Sequence, residues 1–385
     1  MSKWHIIRKE TNYFIRAVAA PSPVSLMEYT MKKILLTGGG TAGHVTPNIA
    51  LLPHLRDAGF IIEYIGTRTG IEYRLIHQEN IAFHTITAGK LRRYFDLKNL
   101  SDVFRIVLGL LQSIGILLRT RPDILFSKGG FVSCPVVWAA WLLKIPVVIH
   151  ESDITPGLAN RLSLPFARKI CYSFPETAAH VDRNKAVHTG LPVRSSLLAG
   201  NAAEGLKLCG FSGNKPVILV MGGSQGSVAV NTAVRKALPL LSGEFDICHL
   251  CGEGNLGPEA PSYKQFEYVA NELSHLFAAT SLFVGRSGAT TIFELLALSK
   301  PSLLIPLSTG ASRGDQILNA RSFEKQGFCE VLAQEKLTEE TLTASIRRLF
   351  SRRQEIIKSI EASRQPDGGR AVVEVLLSLT ETPKH

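Results

Sequence analysis

From Met31 onward the chain repeats one pattern: a short aliphatic run, a glycine-rich turn, then a helix-length amphipathic segment. That is the pattern of βα units built around a parallel sheet. In the first half the predicted strands are Ile34–Leu36, Ile61–Ile65, Ile124–Phe126, Val147–Ile149 and Lys169–Tyr172. A stretch rich in turn residues, closing on Gly210 to Pro216, precedes a second series: Val217–Met221, Ile247–Leu250, Leu282–Val284, Ser302–Ile305 and Cys329–Leu332. The expected organisation is an N-terminal domain over 31–190, a C-terminal domain over 191–350, and a helical tail over 351–385 that packs back towards the N-terminal domain. Residues 1–30 read as an extension or a misassigned start ahead of Met31.

Each half opens with the same device, a strand running into glycines and then a helix. In the first it is Leu36 to His44, with glycines at 38, 39, 40 and 43; in the second, Val220 to Ser227, with glycines at 222, 223 and 226. The fold class expected is α/β, two doubly wound Rossmann-like domains facing a central cleft. In such sheets ligands sit beyond the carboxyl ends of the strands, where both turns would lie.

Composition narrows the chemistry. With 385 residues and 45% apolar content, each of two or three domains can build a core. Lys plus Arg exceed Asp plus Glu by 43 − 32 = 11, which favours an anionic partner without choosing among nucleotide, phospholipid and nucleic acid. Six scattered cysteines do not form a disulfide framework, so a reducing cytoplasm is expected. No window reads as a run of about 18 apolar residues, since Ile106 to Leu118 is interrupted by Gln112 and Ser113. The N-terminus lacks the apolar stretch and cleavage site of a signal peptide.

Residues Gly38 to Gly43 spell G-x-G-x-x-G after a strand, with Glu63 twenty residues on, which is the dinucleotide-binding pattern of a dehydrogenase. The same glycines also suit another ligand: free N–H groups at a helix N-terminus, together with the helix dipole, hold phosphate. Two such turns on one cleft fit a diphosphate lying between two substrates, with His44 pointing at it. In Gly285 to Leu295, small residues open a helix, Thr290 and Thr291 offer hydroxyls, and Glu294 falls one turn along, placed to accept from a ribose diol. Gln316, after a polar loop, suits sugar hydroxyls.

Other motifs weigh less. Cys248 and Cys251 form a lone C-x-x-C with no second pair. The chain has no D-x-D metal clamp and no P-loop, so charge on a leaving diphosphate would fall to backbone dipoles and Arg, with no metal or other cofactor expected. Lys90 to Lys98 interleave basic and large apolar residues ahead of the apolar segment Val103–Leu118, which suits an anionic bilayer surface. No nucleic-acid motif accompanies it, so nucleic acid is not expected as a partner.

Seven blocks in order then carry a resemblance: G-G-T-A-G-H at 39–44, K-G-G-F-V-S-C-P at 128–135, H-E-S-D-I-T-P-G-L-A-N-R at 150–161, T-G-L-P-V-R at 189–194, G-G-S-Q-G at 222–226, R-S-G-A-T-T-I-F-E at 286–294 and G-D-Q-I-L-N-A at 314–320. Over residues 31 to about 375 the chain resembles the MurG family of bacterial transferases. The resemblance implies the two-domain GT-B fold. It also implies UDP-N-acetylglucosamine as donor, held mainly by the C-terminal half, and a lipid-linked muramyl pentapeptide as acceptor, approached from the N-terminal half at the cytoplasmic face of an anionic inner membrane. By the same resemblance Glu294 would take the ribose, with Ala289, Thr290 and Thr291 along the nucleotide and Val269 near the uracil. Ser224, Gln225 and Arg194 would meet the diphosphate, and Gln316 the sugar. Thr41, Ala42 and Gly43 would close from the opposite domain, joined by Asp153 and Asn160, and His44 stands at the position of the general base. The chain departs from the common family pattern at Ala42, where Gly is usual, and at Ser152 and Asp153, where Gln-Asn is frequent.

Overall fold

The computed structural model describes residues 31–89, 98–223, 225–309, 313–363 and 365–380. Residues 1–30, the basic segment 90–97, Ser224 and the loop residues 310–312 lie outside them. Among the described residues the strands form two parallel sheets. The first contains β1 (Lys33–Thr37), β2 (Ile61–Gly66), β3 (Ala82–Thr85), β4 (Ile124–Ser127), β5 (Val147–Glu151), β6 (Lys169–Tyr172) and β7 (Ala186–His188), in the order β3-β2-β1-β4-β5-β6-β7. The second contains β8 (Val217–Met221), β9 (Asp246–Leu250), β10 (Tyr263–Phe266), β11 (Thr280–Gly285), β12 (Ser302–Leu304) and β13 (Glu330–Val331), in the order β10-β9-β8-β11-β12-β13. In both, the strand order reverses beside the opening strand, between β1 and β4 and between β8 and β11. That reversal opens a crevice at the carboxyl ends, just where the glycine turns leave.

Helices fill the crossovers. In the first half they are α1 (Ala42–Asp57), α2 (Ile71–His77), α3 (Lys98–Thr120), α4 (Ser133–Leu142) and α5 (Leu158–Ser163). The second half has α6 (Ser195–Leu198), α7 (Ala202–Cys209), α8 (Val228–Leu241), α9 (Leu273–Ala279), α10 (Ala289–Ala297), α11 (Asp315–Lys325) and α12 (Glu339–Ala362). The last helix, α13 (Gly368–Thr380), lies against α1 in the first half, where Gly369 makes room for the His54 ring. α12 runs through position 351 without a break and packs on α8, so the chain leaves the second half only after residue 362.

The central strands are covered on both faces, which is why they read as unbroken aliphatic runs. Along β1, Ile34 and Leu36 enter one core with α1 and α13, while Leu35 enters the other with α3 and α4. All three are fully buried, and each contributes about 1.5–3 kcal/mol by leaving water. The sequence pattern missed β3, β7 and β10, each at a sheet edge. Their segments, AFHT, AVH and YKQF, are short and mix polar with apolar positions, because one side of an edge strand meets solvent.

The halves also touch directly. The amide of Ile154 donates to Asn319 Oδ1 (3.3 Å), Ser322 donates to Glu176 (2.7 Å), and Phe174 packs edge-on against both Phe293 and Phe323. The chain passes between halves at residues 189–195 and again between α12 and α13, and at Gly190, Leu191, Pro366 and Gly368 these two passages lie on one another. A Cβ on Gly368 would sit 2.4 Å from the Leu191 carbonyl, and one on Gly190 would sit 3.2 Å from Pro366.

Candidate active site

β1 delivers the first glycine turn to the cleft, and neighbouring side chains brace it from below. Tyr64 donates its hydroxyl to the Gly38 carbonyl (2.5 Å), and Asn48 bonds both the Thr37 carbonyl and Tyr64. The carboxylate of Glu72, at the start of α2, accepts from the Gly40 amide (3.1 Å) and from the Thr67 amide and hydroxyl. It fills the space left by missing side chains at Gly39, Gly66 and Gly70, where added Cβ atoms would fall 2.1–2.9 Å from its atoms. Gly40 itself sits at φ +85° against the Phe131 ring, which a side chain could not share.

This arrangement argues against the dehydrogenase reading. A protein carboxylate already takes one turn amide that a dinucleotide phosphate would need. Glu63 is not at a ribose position either: it lies within β2, paired with Lys33 (3.3 Å) and with His84 (2.6 Å).

Thr41 caps the N-terminus of α1, and its hydroxyl lies 3.0 Å from His44 Nδ1; Ala42 and Gly43 form the first turn between them. Burial pushes the imidazole down to about 4. The nearby Lys128 ammonium and, less strongly, the Arg313 guanidinium act in the same direction, against a stabilising bond to the Gly39 backbone.

The turn after β4, Lys128 to Phe131, packs under this loop, with the Gly39 amide donating to the Gly129 carbonyl (3.3 Å). Next along the sheet, Glu151 ends β5 and accepts from the Asp153 amide (2.9 Å), the Gly157 amide (3.3 Å) and Asn160 Nδ2 (2.7 Å). Asn160 is therefore buried beneath Gly129, serving Glu151, and the structure does not bring it to the open cleft. Asp153 reaches the other half: Asn319 donates to it (2.9 Å) and Arg313 pairs with it (3.4 Å). Burial and the adjacent Glu151 push its carboxyl up to about 6, with the Asn319 bond and Arg313 opposing.

The second glycine turn leaves β8. Ser224 lies outside the described residues, Gln225 is exposed, and Gly226 (φ +76°) comes so close to the Cys251 carbonyl that a Cβ would sit 1.9 Å away. Ser227 caps α8 and accepts from Arg286 (2.7 Å), whose other terminal nitrogen donates to the Ile305 carbonyl (2.9 Å). Buried Arg286 thus ties this turn to the end of β12. Ser287 bonds the Gln316 carbonyl (2.9 Å), and Gln316 Oε1 accepts from the Leu307 amide (3.1 Å). Val269 is half-buried after β10 and packs on the core of the second half. Cys248 is a core residue and Cys251 bonds Gln265, so the C-x-x-C serves packing.

α10 opens at Gly288 with Ala289, Thr290 and Thr291 in its first turn, and Glu294 follows on its buried side. Arg194 donates to Glu294, and burial raises the Glu294 carboxyl against the pull of that guanidinium. Across the cleft, a Cβ placed on Gly43 would lie 3.9 Å from Thr290 Oγ1, so the starts of α1 and α10 face each other closely. The structure therefore gathers Thr41, Ala42, Gly43 and His44 opposite Thr290, Thr291, Glu294 and Arg194. Sequence reasoning assigned no role to Lys128, Glu151, Glu72, Arg313 or Asn319, although four of these stand inside or beside the quoted blocks.

Away from the cleft, α3 buries Ser113, Ile116, Leu117 and Thr120, with α4 packed alongside, and exposes Val103, Phe104, Val107, Leu108, Leu111 and Leu118. The exposed positions recur every three or four residues and form one stripe. Asp102–Thr120 is long and apolar enough to cross a bilayer by length and composition, a feature that the interruption at Gln112 and Ser113 hid in the sequence. The basic residues expected to rim it, at 90–97, lie outside the described residues.

Comparison with known proteins shows the family and the fold. The glycosyltransferase family 28 N-terminal domain matches residues 34–172, and the glycosyltransferase family 28 C-terminal domain matches 217–370. Three relatives carry the name UDP-N-acetylglucosamine–N-acetylmuramyl-(pentapeptide) pyrophosphoryl-undecaprenol N-acetylglucosamine transferase. That of Lachnospira eligens is 55% identical over 88% of this chain and 96% of its own. That of Geobacillus thermodenitrificans is 54% identical over 91% and 98%, and that of Clostridium botulinum 51% identical over 91% and 100%. Among solved structures, Acinetobacter baumannii MurG superposes with a TM-score of 0.69 at 24% identity, covering 90% of this chain and 99% of that one. A glycotransferase of kitacinnamycin gives 0.71 at 16%, covering 90% and 98%. These structures share the fold, two Rossmann-like domains in the GT-B arrangement.

Proposed function

We propose the following function for this chain, which belongs to the MurG family within glycosyltransferase family 28. It is an N-acetylglucosaminyltransferase that moves N-acetylglucosamine from UDP-N-acetylglucosamine to undecaprenyl-diphosphate-linked N-acetylmuramyl pentapeptide. The observation that carries the reading beyond kinship is the meeting of two helix starts, Gly43 against Thr290, with His44 on one side and the Arg194–Glu294 pair on the other.

In this reading the acceptor's 4-hydroxyl attacks the anomeric carbon from the face opposite UDP. The new C–O bond forms as the bond to the diphosphate oxygen breaks, and the configuration inverts. The hydroxyl proton passes to His44. With its Nδ1 proton engaged by Thr41 or the Gly39 carbonyl, the ring keeps the Nε2 lone pair for that proton. UDP leaves with the electron pair. The amides of the second glycine turn and the Arg194 guanidinium meet its charge, and Glu294 holds the ribose diol.

The acceptor is a lipid, and the α3 stripe suits the surface where it resides. An exposed apolar helix face on a protein of net charge +11 favours peripheral attachment to an anionic, cytoplasm-facing bilayer. The test is UDP release by the purified full chain, with and without a lipid-linked muramyl acceptor. Release that requires the acceptor supports the reading. Release without it, or formation of an epimerised sugar nucleotide, would favour another GT-B activity such as epimerisation.

A further inference from the structure

Lys128 is an anomaly among the described residues. It is 1% exposed, directly after β4, and its ammonium donates to the Ser152 hydroxyl, with no carboxylate of the described residues within ion-pair distance. A buried cation without a paired anion is costly. The nearest carboxylates are committed elsewhere: Glu151 to two amides and Asn160, Asp153 to Asn319 and Arg313. Gly38 separates Lys128 from His44. A Cβ there would meet Lys128 Cβ at 3.0 Å and the His44 carbonyl at 2.5 Å, so the two residues flank a single glycine.

The charge makes sense once the cleft is loaded. Donor and acceptor each bring a diphosphate, and negative charge gathering beside an imidazole favours its protonated form, which can accept nothing. We propose that Lys128 is a positioning residue for the transfer: its buried ammonium offsets the charge of the two diphosphates, so that His44 faces the acceptor hydroxyl unprotonated. This rests on the reading of His44 as the proton acceptor. It adds a residue that touches neither substrate.

The surroundings are consistent from every side. His44 faces Lys128 and Arg313 as cations, Thr41 Oγ1 and the Gly39 carbonyl as neutral partners, and, from the elements packed on its helix, Glu72 on α2 and the Arg194–Glu294 pair at α10. Lys128 faces Glu151, Asp153, His150 and Cys171. Burial holds its ammonium down at about 8 even with those two carboxylates opposing, and drives neighbouring His150 neutral and the Cys171 thiol up to about 12. No other fixed cation sits at this depth beneath the first turn among the described residues.

The experiment is the pH dependence of kcat for Lys128→Met beside wild type, using UDP-N-acetylglucosamine and a short-chain lipid-linked acceptor. The acid limb of Lys128→Met should move up by about one pH unit or more, so that turnover falls several-fold on the acid side of the profile and meets wild type once the pH has passed the shifted limb. Lys128→Arg should keep the wild-type limb. Turnover reduced equally at every pH, or a limb that does not move, would overturn the proposal. Lys128→Gln, which keeps a donor for Ser152, takes the place of Met if that variant does not fold. His44→Ala is the control that separates the two ideas: if it retains full turnover, the base assignment fails. If it is inactive while the Lys128→Met limb stays put, only the role of Lys128 fails.

Discussion

Arg194 places Nε and Nη2 on the same oxygen of Glu294, Oε1, at 3.2 and 2.9 Å, while Oε2 takes no hydrogen bond among the described residues. A buried carboxylate is thus paired with a cation on one side and left open to donors on the other. A ribose diol would complete it. Glu294→Gln should weaken UDP binding by roughly tenfold to a hundredfold, the loss of a charged hydrogen-bond acceptor of about 1.5–3 kcal/mol. Calorimetric titration with UDP measures it; affinity within twofold of wild type would remove Glu294 from the ribose site.

His44→Ala should lower kcat by about 10²- to 10⁴-fold, the usual worth of a general base, and leave the Kd for UDP within about twofold. The split matters because a damaged fold would lose both. His44→Ala turning over at a near-normal rate while still binding donor would mean that some other group takes the proton.

Asp153 gives a stability prediction with a definite sign. Its folded-state carboxyl titrates near 6, above the ordinary 3.8, so folding favours its protonated form. That contribution is fully present below about pH 4 and is lost as pH rises to about 6. Asp153→Asn, which can still accept from Asn319 and restores the residue frequent in the family, should therefore melt higher than wild type at pH 7.5, with the gap closing by pH 4.5. Thermal melts at the two pH values decide it. A variant that melts lower at pH 7.5 would show that the Arg313 bridge outweighs burial.

The α3 stripe should matter for the surface and not for the chemistry. Replacing Phe104 and Leu108 together by Ser should reduce sedimentation with vesicles rich in anionic lipid, and raise KM several-fold for a long-chain acceptor presented in them. Turnover of a water-soluble short-chain acceptor should be unchanged. Equal losses with both acceptors would point to a packing defect in α3.

The sequence made the interior strands legible because both faces of each are covered: Leu35, Phe126 and Val220 stand in runs that only a sandwiched strand tolerates. Ala82–Thr85 and Tyr263–Phe266 escaped notice because an edge strand needs apolar residues on one side only. The site was legible where chemistry follows backbone shape, as in the glycine turns and in Glu294 one turn into α10. It was not legible where side chains choose each other across the fold. Nothing in the order of residues says that Asn160 serves Glu151, that Glu72 fills a cage of glycines, or that Lys128 is buried beside Ser152 with no described carboxylate in ion-pair reach. These depend on which strands become neighbours, and β4 beside β1 joins residues some ninety positions apart.

Two passages of chain link the halves, and they rest on one another at Gly190, Leu191, Pro366 and Gly368. A lone tether would let one lobe swivel in any direction; a pair bound side by side leaves a single axis, like a door hung on two pins. Together with the Ile154–Asn319 bond and the Phe174 ring contacts, these passages restrain the lobes to turn about that line, and cutting either passage with a protease should loosen the restraint without parting the lobes.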